Sequence, residues 1–398
     1  MTPTTAINDR NEPWLINHAT NPFVILSDSE ADASGSRRAK MGGNPVGFGI
    51  IGCAEISRKA ARAINLAPNS TLSAIASRSI DKAARFAAHN GFPDSVKLYG
   101  SYDAILDDPS IDAVYLPLPT SLHVHWAVAA AEKKKHVLLE KPTALNVADL
   151  DRIIDACRSS GVQFMDSTMW MHHPRTTLMQ EAISDPDRFG RLRSVQSSST
   201  YAATEEFLEN NIRVKPDLDS LGALGDTGWY AIRAILWAAD YKLPKTVTAF
   251  PHVDLNQHGV ILSCGASLLW EDSTVATFHC SFLAHESMDI NLYGTAGSIH
   301  VRDFIIPYEE TSASFSLSSR AAFSELHLGW NHEPEEIQVA SPLPQEALMV
   351  QEFARLAMDI RDSRGHPDQK WPQISRKTQL VLDAVKKSIE LGCKPIEL

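Results

Sequence analysis

Short apolar stretches alternate with stretches of helical periodicity between Val46 and Met165, and this alternation strongly limits the folds open to the chain. The strand-like stretches are 46–52, 72–76, 113–118, 137–140 and 162–165, and the helical ones are 55–66, 81–89, 123–134 and 147–159. Strands and helices in turn are typical of a doubly wound parallel sheet, whose ligands bind at the carboxyl ends of the strands. The first half of the chain is therefore predicted to be an α/β domain of the Rossmann type.

After about residue 190, longer strand candidates follow one another without helices between them, at 194–201, 246–250, 260–270, 275–282, 287–293 and 298–301. This pattern indicates a large, mainly antiparallel open sheet, which two helices at 344–361 and 375–391 follow. We predict a flexible extension over residues 1–44, a dinucleotide-binding Rossmann domain over 45–165 and an α+β substrate and oligomerisation domain over 166–398. In this arrangement the last helices can pack back on the Rossmann domain.

Composition narrows the possible partners. A net charge of −11 argues against binding to nucleic acid, and the one basic run, 133–135, lies at a predicted helix end that favours cations. We find no apolar run near the roughly 18 residues that span a bilayer, and the first 40 residues lack a signal core, so no membrane partner is expected. The five cysteines are scattered without metal-ligand spacing, which predicts reduced thiols in a cytoplasmic protein.

The first strand leads into a modified dinucleotide fingerprint, in which Gly52, Ala54 and Ser57 stand where three glycines are usual. Gly52 permits a tight turn, and Ala54 is small enough for a pyrophosphate to approach the backbone at the helix N-terminus. An ordinary strand-to-helix turn is the alternative, but the position within a strand–helix–strand unit favours a cofactor site. The predicted contacts are Gly52, Cys53, Ala54, Glu55 and Ile56.

The second strand ends in Ser77-Arg78 without an acidic residue, whereas an NAD enzyme usually places Asp or Glu there. Ser77 can donate a hydrogen bond to a 2′-phosphate, and Arg78 can pair with that phosphate and stack on adenine. The alternative is an ordinary surface arginine. The pattern predicts NADP(H) rather than NAD(H).

The strand that starts at Val137 ends in Glu140-Lys141-Pro142. A lysine at this edge of the sheet faces the nicotinamide side of the crevice, where its ammonium can polarise a substrate carbonyl or share a proton with a hydroxyl. Pro142 restricts the conformation of Lys141. Glu140 and Lys141 are therefore expected beside the cofactor, with Lys141 also catalytic.

The fingerprint, this triplet and the segment Gly-Asp-Thr-Gly-Trp-Tyr at 225–230 together resemble the glucose–fructose oxidoreductase and inositol dehydrogenase (Gfo/Idh/MocA) family, from about Val46 to the C-terminus. Segments 116–123 and 169–175 are most similar to its dimeric dihydrodiol dehydrogenase branch and plant relatives of that branch. The resemblance implies hydride transfer between NADP(H) and a carbinol or carbonyl carbon of a polyhydroxylated molecule, such as a sugar, cyclitol, glycoside or trans-dihydrodiol. It also implies a homodimer formed through the C-terminal sheet.

The resemblance assigns three catalytic roles. Lys141 matches the active-site lysine, Asp226 matches an aspartate that binds substrate hydroxyls or tunes the acid, and Tyr230 stands in place of the usual histidine. A spacing of four residues puts Asp226 and Tyr230 on one helix face. A free tyrosine has a pKa of about 10, so Tyr230 needs a cation such as Lys141 nearby to act as a base. The alternative for Tyr230 is a buried helix residue.

Weaker candidates remain. The loop that covers the nicotinamide in the family corresponds to Leu118, Pro119, Thr120 and His123, although His123 also fits an ordinary helix start. The candidate substrate contacts are Trp170, His172, Arg175 and Arg213, with interface core as the alternative for Trp170 and surface ion pairs for the arginines. We predict no metal. The rival functions are a catalytically silent NADP-binding regulatory protein and an enzyme that transiently oxidises and re-reduces its substrate on a retained cofactor.

Overall fold

The alternating stretches form a parallel sheet in the computed structural model, which describes residues 44–323, 329–363 and 365–398. Apart from Asn44, the predicted N-terminal extension lies outside the described residues. The sheet is built from β1 (Val46–Ile51), β2 (Ser70–Ala76), β3 (Lys97–Tyr99), β4 (Ala113–Leu116), β5 (His136–Leu139) and β6 (Phe164–Asp166). These strands are all parallel, in the order β3-β2-β1-β4-β5-β6. The order reverses between β1 and β4, which is where such sheets bind ligands.

The helices of this half connect successive strands: α1 (Glu55–Leu66), α2 (Ile80–His89), α3 (Tyr102–Leu106), α4 (His123–Glu132) and α5 (Val147–Ser160). The ends of α5 show how local residues set the boundaries. The Asn146 side chain accepts a hydrogen bond from the Asp149 N–H at 2.9 Å, and Gly161 ends the helix with a left-handed φ of 70°. Every residue of β1 is buried, as expected of a central parallel strand between two helix layers.

The second half of the chain is built on a large mixed sheet. Its described strands are β7 (Leu192–Ala202), β8 (Thr246–Ala249), β9 (Asp254–Leu255), β10 (Ile261–Leu269), β11 (Val275–Ser281), β12 (Leu283–Gly294), β13 (Gly297–Val301), β14 (Ser312–Ser319), β15 (Glu335–Ala340) and β16 (Ile396–Glu397). The order is β15-β14-β13-β12-β7-β11-β10-β8-β16, with β9 also paired to β10. The β7–β11 pair is parallel, whereas the others described are antiparallel. The predicted fold class is confirmed.

The helices of the second half are α6 (Pro174–Ser184), α7 (Glu205–Asn210), α8 (Gly222–Asp226), α9 (Gly228–Ala238), α10 (Gln345–Ser363) and α11 (Lys370–Glu390). α9 packs against β7 and β11, and α10 packs against α1. The Phe353 ring of α10 lies 5.9 Å from that of Phe48 in β1, inside one apolar cluster. α11 contacts α5 and β6. The last helices thus touch the first sheet, while the exact domain limits stay predictions.

A buried ion pair joins the two halves. Arg233 of α9 contacts Asp166 at the end of β6 at 2.7 Å, and both side chains are almost fully shielded from solvent. The Asp166 carboxylate also accepts hydrogen bonds from the hydroxyls of Thr168 and Ser375, and Arg233 donates to Thr378 at 2.6 Å. Burial alone would raise the pKa of Asp166, but chiefly the Arg233 charge lowers it. Both charges therefore have the partners that burial demands.

The described helices include none that is long and apolar enough to cross a membrane.

Candidate active site

A cavity of about 510 Å³ lies at the carboxyl ends of the Rossmann strands and is closed on its other side by β7 and the α8–α9 segment. Predicted site residues from both halves of the chain meet in its wall: Ala54, Glu55, Ile56, Leu118, Thr120, Glu140, Lys141, Arg213, Asp226 and Tyr230. Its size is within the range of small-molecule and cofactor sites. The cavity is therefore the candidate active site.

The fingerprint loop is shaped by one glycine and one hydroxyl. Gly52 has a φ of 126°, a backbone conformation that favours glycine. The Ser57 hydroxyl donates to the Gly52 carbonyl oxygen at 2.8 Å and accepts from the Ala54 N–H at 3.1 Å. Ser57 thus fastens the turn from within, where the usual fingerprint has a glycine. The first turn of α1 is left facing the cavity, and its N–H groups suit phosphate.

The tip of β2 carries basic rather than acidic character. Ser77 is buried, and its N–H donates to the Tyr99 carbonyl oxygen at 3.0 Å, while Arg78 is exposed. Burial raises the pKa of the half-buried Cys53 thiol, and the charge of Lys82 acts in the opposite direction. Cys53, Ser77 and Arg78 lie outside the cavity wall, which starts at Ala54. The Ser77 hydroxyl and the basic side chains of Arg78 and Lys82 suit a 2′-phosphate better than a ribose 2′-hydroxyl. Lys82 was not predicted from the sequence.

The Glu140-Lys141 corner is held by hydrogen bonds on both sides. Glu140 accepts from the Tyr115 hydroxyl and from the Lys141 N–H at 3.2 Å, and burial raises its pKa. The Lys141–Pro142 peptide bond is cis. The Lys141 ammonium donates to the Asp226 carboxylate at 2.6 Å and to its carbonyl oxygen at 3.0 Å. Among the described residues, two of its three donors thus have acceptors, and the third is available to a substrate oxygen.

Asp226 is the centre of this charged group. One carboxylate oxygen accepts from Lys141 and lies 2.9 Å from Arg213 Nε, and the other accepts from the Tyr201 hydroxyl at 3.1 Å. Burial alone would raise the pKa of Asp226, but the charges of Arg213 and Lys141 hold it well below its usual range. Asp226 is thus a fixed carboxylate whose oxygens are already engaged. Of its two predicted roles, the direct binding of substrate hydroxyls is disfavoured, because these contacts occupy the carboxylate and hold Lys141 in place.

Tyr230 lies beside Lys141, with its ring next to the ammonium. The Lys141 ammonium stands 4.5 Å from the centre of the Tyr230 ring, and the phenol donates to Met169 Sδ at 3.6 Å. Burial, followed by the charges of Glu140 and Asp226, raises the pKa of Tyr230 well above its usual value. The phenol therefore stays protonated at neutral pH. It cannot act as a base at neutral pH, and the same surroundings make it a weaker acid than a free tyrosine, so it serves there as a hydrogen-bond donor.

The loop after β4 is tied to the second half of the chain. The Thr120 hydroxyl bonds to the Asp219 carboxylate, and the Ser121 N–H donates to the Leu218 carbonyl oxygen at 3.0 Å. Pro119 precedes the 3₁₀ turn 120–122. The His123 ring is buried behind the loop, 2.8 Å from the Leu118 carbonyl oxygen. His123 is therefore corrected from a cofactor contact to a residue that supports the loop at an ordinary helix start.

Three of the four candidate substrate residues lie away from the cavity. Trp170 is fully buried, with its ring 4.5 Å from that of Phe304. The buried Arg175 guanidinium is 2.5 Å from the Asp303 carboxylate, and His172 stacks on Trp371 at 4.7 Å. Arg175 thus has its polar partners in the interior, whereas Trp170 Nε1 and His172 Nε2 are buried without a hydrogen-bond partner among the described residues. None of the three side chains lines the cavity, so their predicted substrate role is corrected. Arg213 is the one of the four that lines the cavity.

His172, which lies away from the cavity, gives a prediction for how the stability of the fold depends on pH. Burial lowers the pKa of His172 to about 3 and that of His136 and His173 to about 4. The unfolded chain binds protons at these rings with a pKa of about 6.5. Between these values the unfolded chain binds more protons, so stability is fully present above about pH 6.5 and is lost as the pH falls.

We expect His172→Phe, which keeps a ring against Trp371, to make the fall in the denaturation midpoint between pH 7 and pH 5 shallower. At pH 7 the change should be within about 1.5 kcal/mol, as for a swap of similar volume. The exposed His252→Phe is the matched control. Parallel pH profiles for the wild type and His172→Phe would contradict the assignment.

Sequence reasoning missed Tyr115, Tyr201 and Asp219, which line the cavity and hold Glu140, Asp226 and Thr120. Each is a single residue on a strand or loop, without a spacing rule to mark it. In the part of the chain that the structure describes, no group of three His, Cys, Asp or Glu side chains is placed to hold a metal ion.

The model of an oxidoreductase family with an NAD-binding Rossmann fold matches residues 46–167, and the GFO/IDH/MocA C-terminal domain matches residues 178–300. A dTDP-3,4-didehydro-2,6-dideoxy-alpha-D-glucose 3-reductase of Saccharopolyspora spinosa is 31% identical over 326 residues, which cover 81% of this chain and 90% of the relative. A trans-1,2-dihydrobenzene-1,2-diol dehydrogenase of Xenopus tropicalis is 25% identical over 304 residues, 71% of this chain and 87% of the relative.

Among solved structures, a mutant 3-ketoreductase from Actinomadura kijaniata in complex with TDP-benzene and NADP superposes with a TM-score of 0.73. It is 25% identical, and the match covers 86% of this chain and 98% of the other. Two domain models in the expected order, and relatives matched over most of their length, agree with the fold and with the composition of the cavity. The chain belongs to the GFO/IDH/MocA family of oxidoreductases.

Proposed function

We propose that the protein is an NADP(H)-dependent oxidoreductase that transfers a hydride to or from a carbinol or carbonyl carbon of a polyhydroxylated small molecule. The observation that carries the proposal is the Lys141 ammonium, held between the Asp226 carboxylate and the Tyr230 ring in a cavity that the fingerprint loop opens into. The names of the relatives, a deoxysugar 3-reductase and a dihydrodiol dehydrogenase, support the substrate class. The NADP-bound 3-ketoreductase supports the cofactor.

The residues fit such a cofactor on the chain's own geometry, through the left-handed Gly52, the open first turn of α1 and the basic tip of β2. The nicotinamide supplies or accepts the hydride. In carbonyl reduction, Lys141 donates its third N–H to the substrate oxygen and polarises the carbonyl. As the carbon becomes a carbinol, its alkoxide oxygen, which is more basic than a phenolate, takes the proton of Tyr230, and the phenolate beside the Lys141 ammonium regains a proton from solvent. The Asp226 carboxylate holds the Lys141 ammonium in place, and Arg213 offers its remaining donors to neighbouring oxygens.

The basic tip of β2 gives a prediction for cofactor choice. We expect Arg78→Ala to weaken NADPH binding by about 10- to 100-fold, because one or two charge-assisted hydrogen bonds to the 2′-phosphate are lost. NADH lacks that phosphate and can lose only the stacking of Arg78 on adenine, so its affinity should fall by no more than about fivefold. Titration followed by nicotinamide fluorescence measures both constants. Arg85→Ala, an exposed arginine on α2, is the matched control, and equal losses for the two cofactors would refute the assignment.

The large sheet supports a homodimer as part of the proposal. One face packs on α9, and alternating burial leaves the other face open along β7, β10 and β11. The open face carries small polar side chains such as Ser198 and Thr277, and the exposed Leu269 and Val275 lie opposite each other on neighbouring strands. A second copy can cover this face by an isologous contact. We expect analytical ultracentrifugation to give the mass of a dimer for the wild type and the mass of a monomer for Val275→Lys. A wild type that is monomeric at micromolar concentration would exclude the dimer.

A cytoplasmic location completes the proposal. The five cysteines are free, including Cys264 and Cys280, whose sulfur atoms lie 3.5 Å apart across two strands. Free neighbouring thiols suit a reducing compartment. Thiol titration of protein denatured directly from its native cells should give five free thiols per chain. A bridged Cys264–Cys280 pair would argue against this location.

A further inference from the structure

Carboxylates in the cavity wall are the natural acceptors for substrate hydroxyls, because a hydroxyl that leaves water needs an acceptor in the cavity. Most of them are already occupied in this structure. Glu55 pairs with Arg58, and three other carboxylates accept hydrogen bonds from other parts of the chain: Glu140 from Tyr115, Asp219 from Thr120, and Asp226 from Lys141 and Tyr201. A polyhydroxylated substrate therefore needs a further acceptor.

Glu346 is the carboxylate of the wall that remains. It belongs to the first turn of α10, lines the cavity and is partly exposed. Among the described residues it forms no ion pair, and its hydrogen-bond donors, its own N–H and the Gln345 side chain, belong to the same helix turn. A carboxylate has about four lone-pair sites, so most of its accepting capacity is left for a ligand.

Glu346 lies near the reacting centre without being bound to it. Lys141 and Tyr230 line the same cavity, and neither forms a hydrogen bond to Glu346. The charge of Glu346 is among those that raise the pKa of the Tyr230 phenol, after burial and two other carboxylates. Burial raises the pKa of Glu346 itself, and the charge of the exposed Lys59 acts in the opposite direction. The carboxylate is therefore placed to meet a bound substrate at atoms other than the reacting oxygen.

From this arrangement we propose that the Glu346 carboxylate accepts hydrogen bonds from substrate hydroxyls on carbons away from the reacting one. Glu346 is then a residue that determines specificity, because it selects molecules that carry several hydroxyl groups. The inference deepens the proposed function and rests on it. A molecule without these hydroxyls takes water from the carboxylate and gives no donor in return, which is why a site of this kind rejects deoxygenated analogues.

A carboxylate in the first turn of a helix also stabilises the helix dipole, and this is the structural alternative for Glu346. That role would change the stability of the fold but not the choice between two ligands. The test therefore compares two ligands of one chain length on the same variant. Xylitol carries a hydroxyl on every carbon, whereas 1,5-pentanediol keeps only those at its ends. Binding is followed by saturation-transfer NMR on the protein loaded with NADPH, which cannot oxidise an alcohol.

We expect the wild type to bind xylitol at least about tenfold more tightly than 1,5-pentanediol. Glu346→Ala should weaken xylitol binding by about 10- to 100-fold, the effect of a hydrogen bond to a charged group, and 1,5-pentanediol binding by no more than about threefold. Glu346→Gln keeps the shape of the side chain and a neutral acceptor, so it should give a smaller loss in the same direction. Glu181→Ala, at an exposed position of α6, is the control.

A wild type that does not prefer xylitol, or equal losses for the two ligands in the Glu346 variants, would overturn the inference. Turnover gives a second check. In the reduction of D-xylulose, Glu346→Gln should raise KM and leave kcat within about threefold, because the residue does not contact the reacting oxygen. A fall in kcat alone would mean that Glu346 acts on the proton transfer, and the inference would be wrong. Xylitol binding that depends on Glu346, without turnover of any polyhydroxylated ketone, would instead count against the proposed function.

Discussion

Replacing Lys141 with Met should lower kcat for carbonyl reduction by about 10²- to 10⁴-fold, the usual contribution of a positioned acid. The ammonium has a donor free for the substrate oxygen and stands over the Tyr230 ring. Its loss therefore removes the charge that polarises the carbonyl and the contact that positions Tyr230. Methionine has a similar length and keeps the packing. Single-turnover oxidation of bound NADPH, followed by absorbance, measures the effect.

The affinity for NADPH separates this role from a general disturbance of the site. Asp226 keeps its contacts with Arg213 and Tyr201 in Lys141→Met, so the affinity should stay within about threefold, less than one charged hydrogen bond is worth. Lys387→Met, at an exposed position of α11, is the control and should turn over at the native rate. A Lys141→Met protein with native kcat would mean that another group polarises the substrate.

The largest expected effect on stability comes from the Asp166–Arg233 pair. Arg233→Met should lower the free energy of unfolding by about 3–5 kcal/mol, because it leaves Asp166 ionised in the interior without its main partner. Denaturation by urea, followed by tryptophan fluorescence, reports the change as a lower midpoint. The hydroxyls of Thr168 and Ser375 still donate hydrogen bonds to the Asp166 carboxylate but cannot balance its charge.

Two further variants show whether the unpaired charge causes the loss. Arg376→Met breaks the exposed pair with Asp151, at 2.7 Å between α11 and α5, and should cost no more than about 1 kcal/mol. Arg233→Met combined with Asp166→Leu removes both buried charges and should recover much of the stability. A double variant that is as unstable as the sum of the two single ones would point to lost packing instead.

The Rossmann half could be predicted because its signals are local. Each buried parallel strand is one short apolar run, and each helix between them has one apolar face, as in β1 and α1. α9 could not be found in this way: it is buried on nearly all sides, between the large sheet and α11, and so lacks a polar face. The family, the fold class and the use of NADP(H), as predicted from the sequence, are confirmed by the comparisons.

In the candidate site too, local sequence signals could be predicted and tertiary contacts could not. Lys141 and Asp226, 85 residues apart, could be paired in advance only because the resemblance supplied both motifs. The arginine at 175 has the composition of a substrate contact, and only the fold shows that its partner is Asp303, 128 residues later. Polar residues that bind ligands and polar residues that satisfy one another inside a protein have the same sequence signature. Burial and partner distinguish them, and both are tertiary properties.

Hydride transfer is tested most directly with NADPH that carries deuterium at nicotinamide C4 and a polyhydroxylated ketone, by mass spectrometry of the product. We expect label on the new carbinol carbon with the wild-type protein, and loss of that label with Lys141→Met. The released nucleotide is measured in the same sample, so that transient oxidation and re-reduction on a retained cofactor is seen as label exchange without net NADPH loss. Tight NADPH binding without label in any product would contradict hydride transfer by this protein and favour a silent regulatory protein.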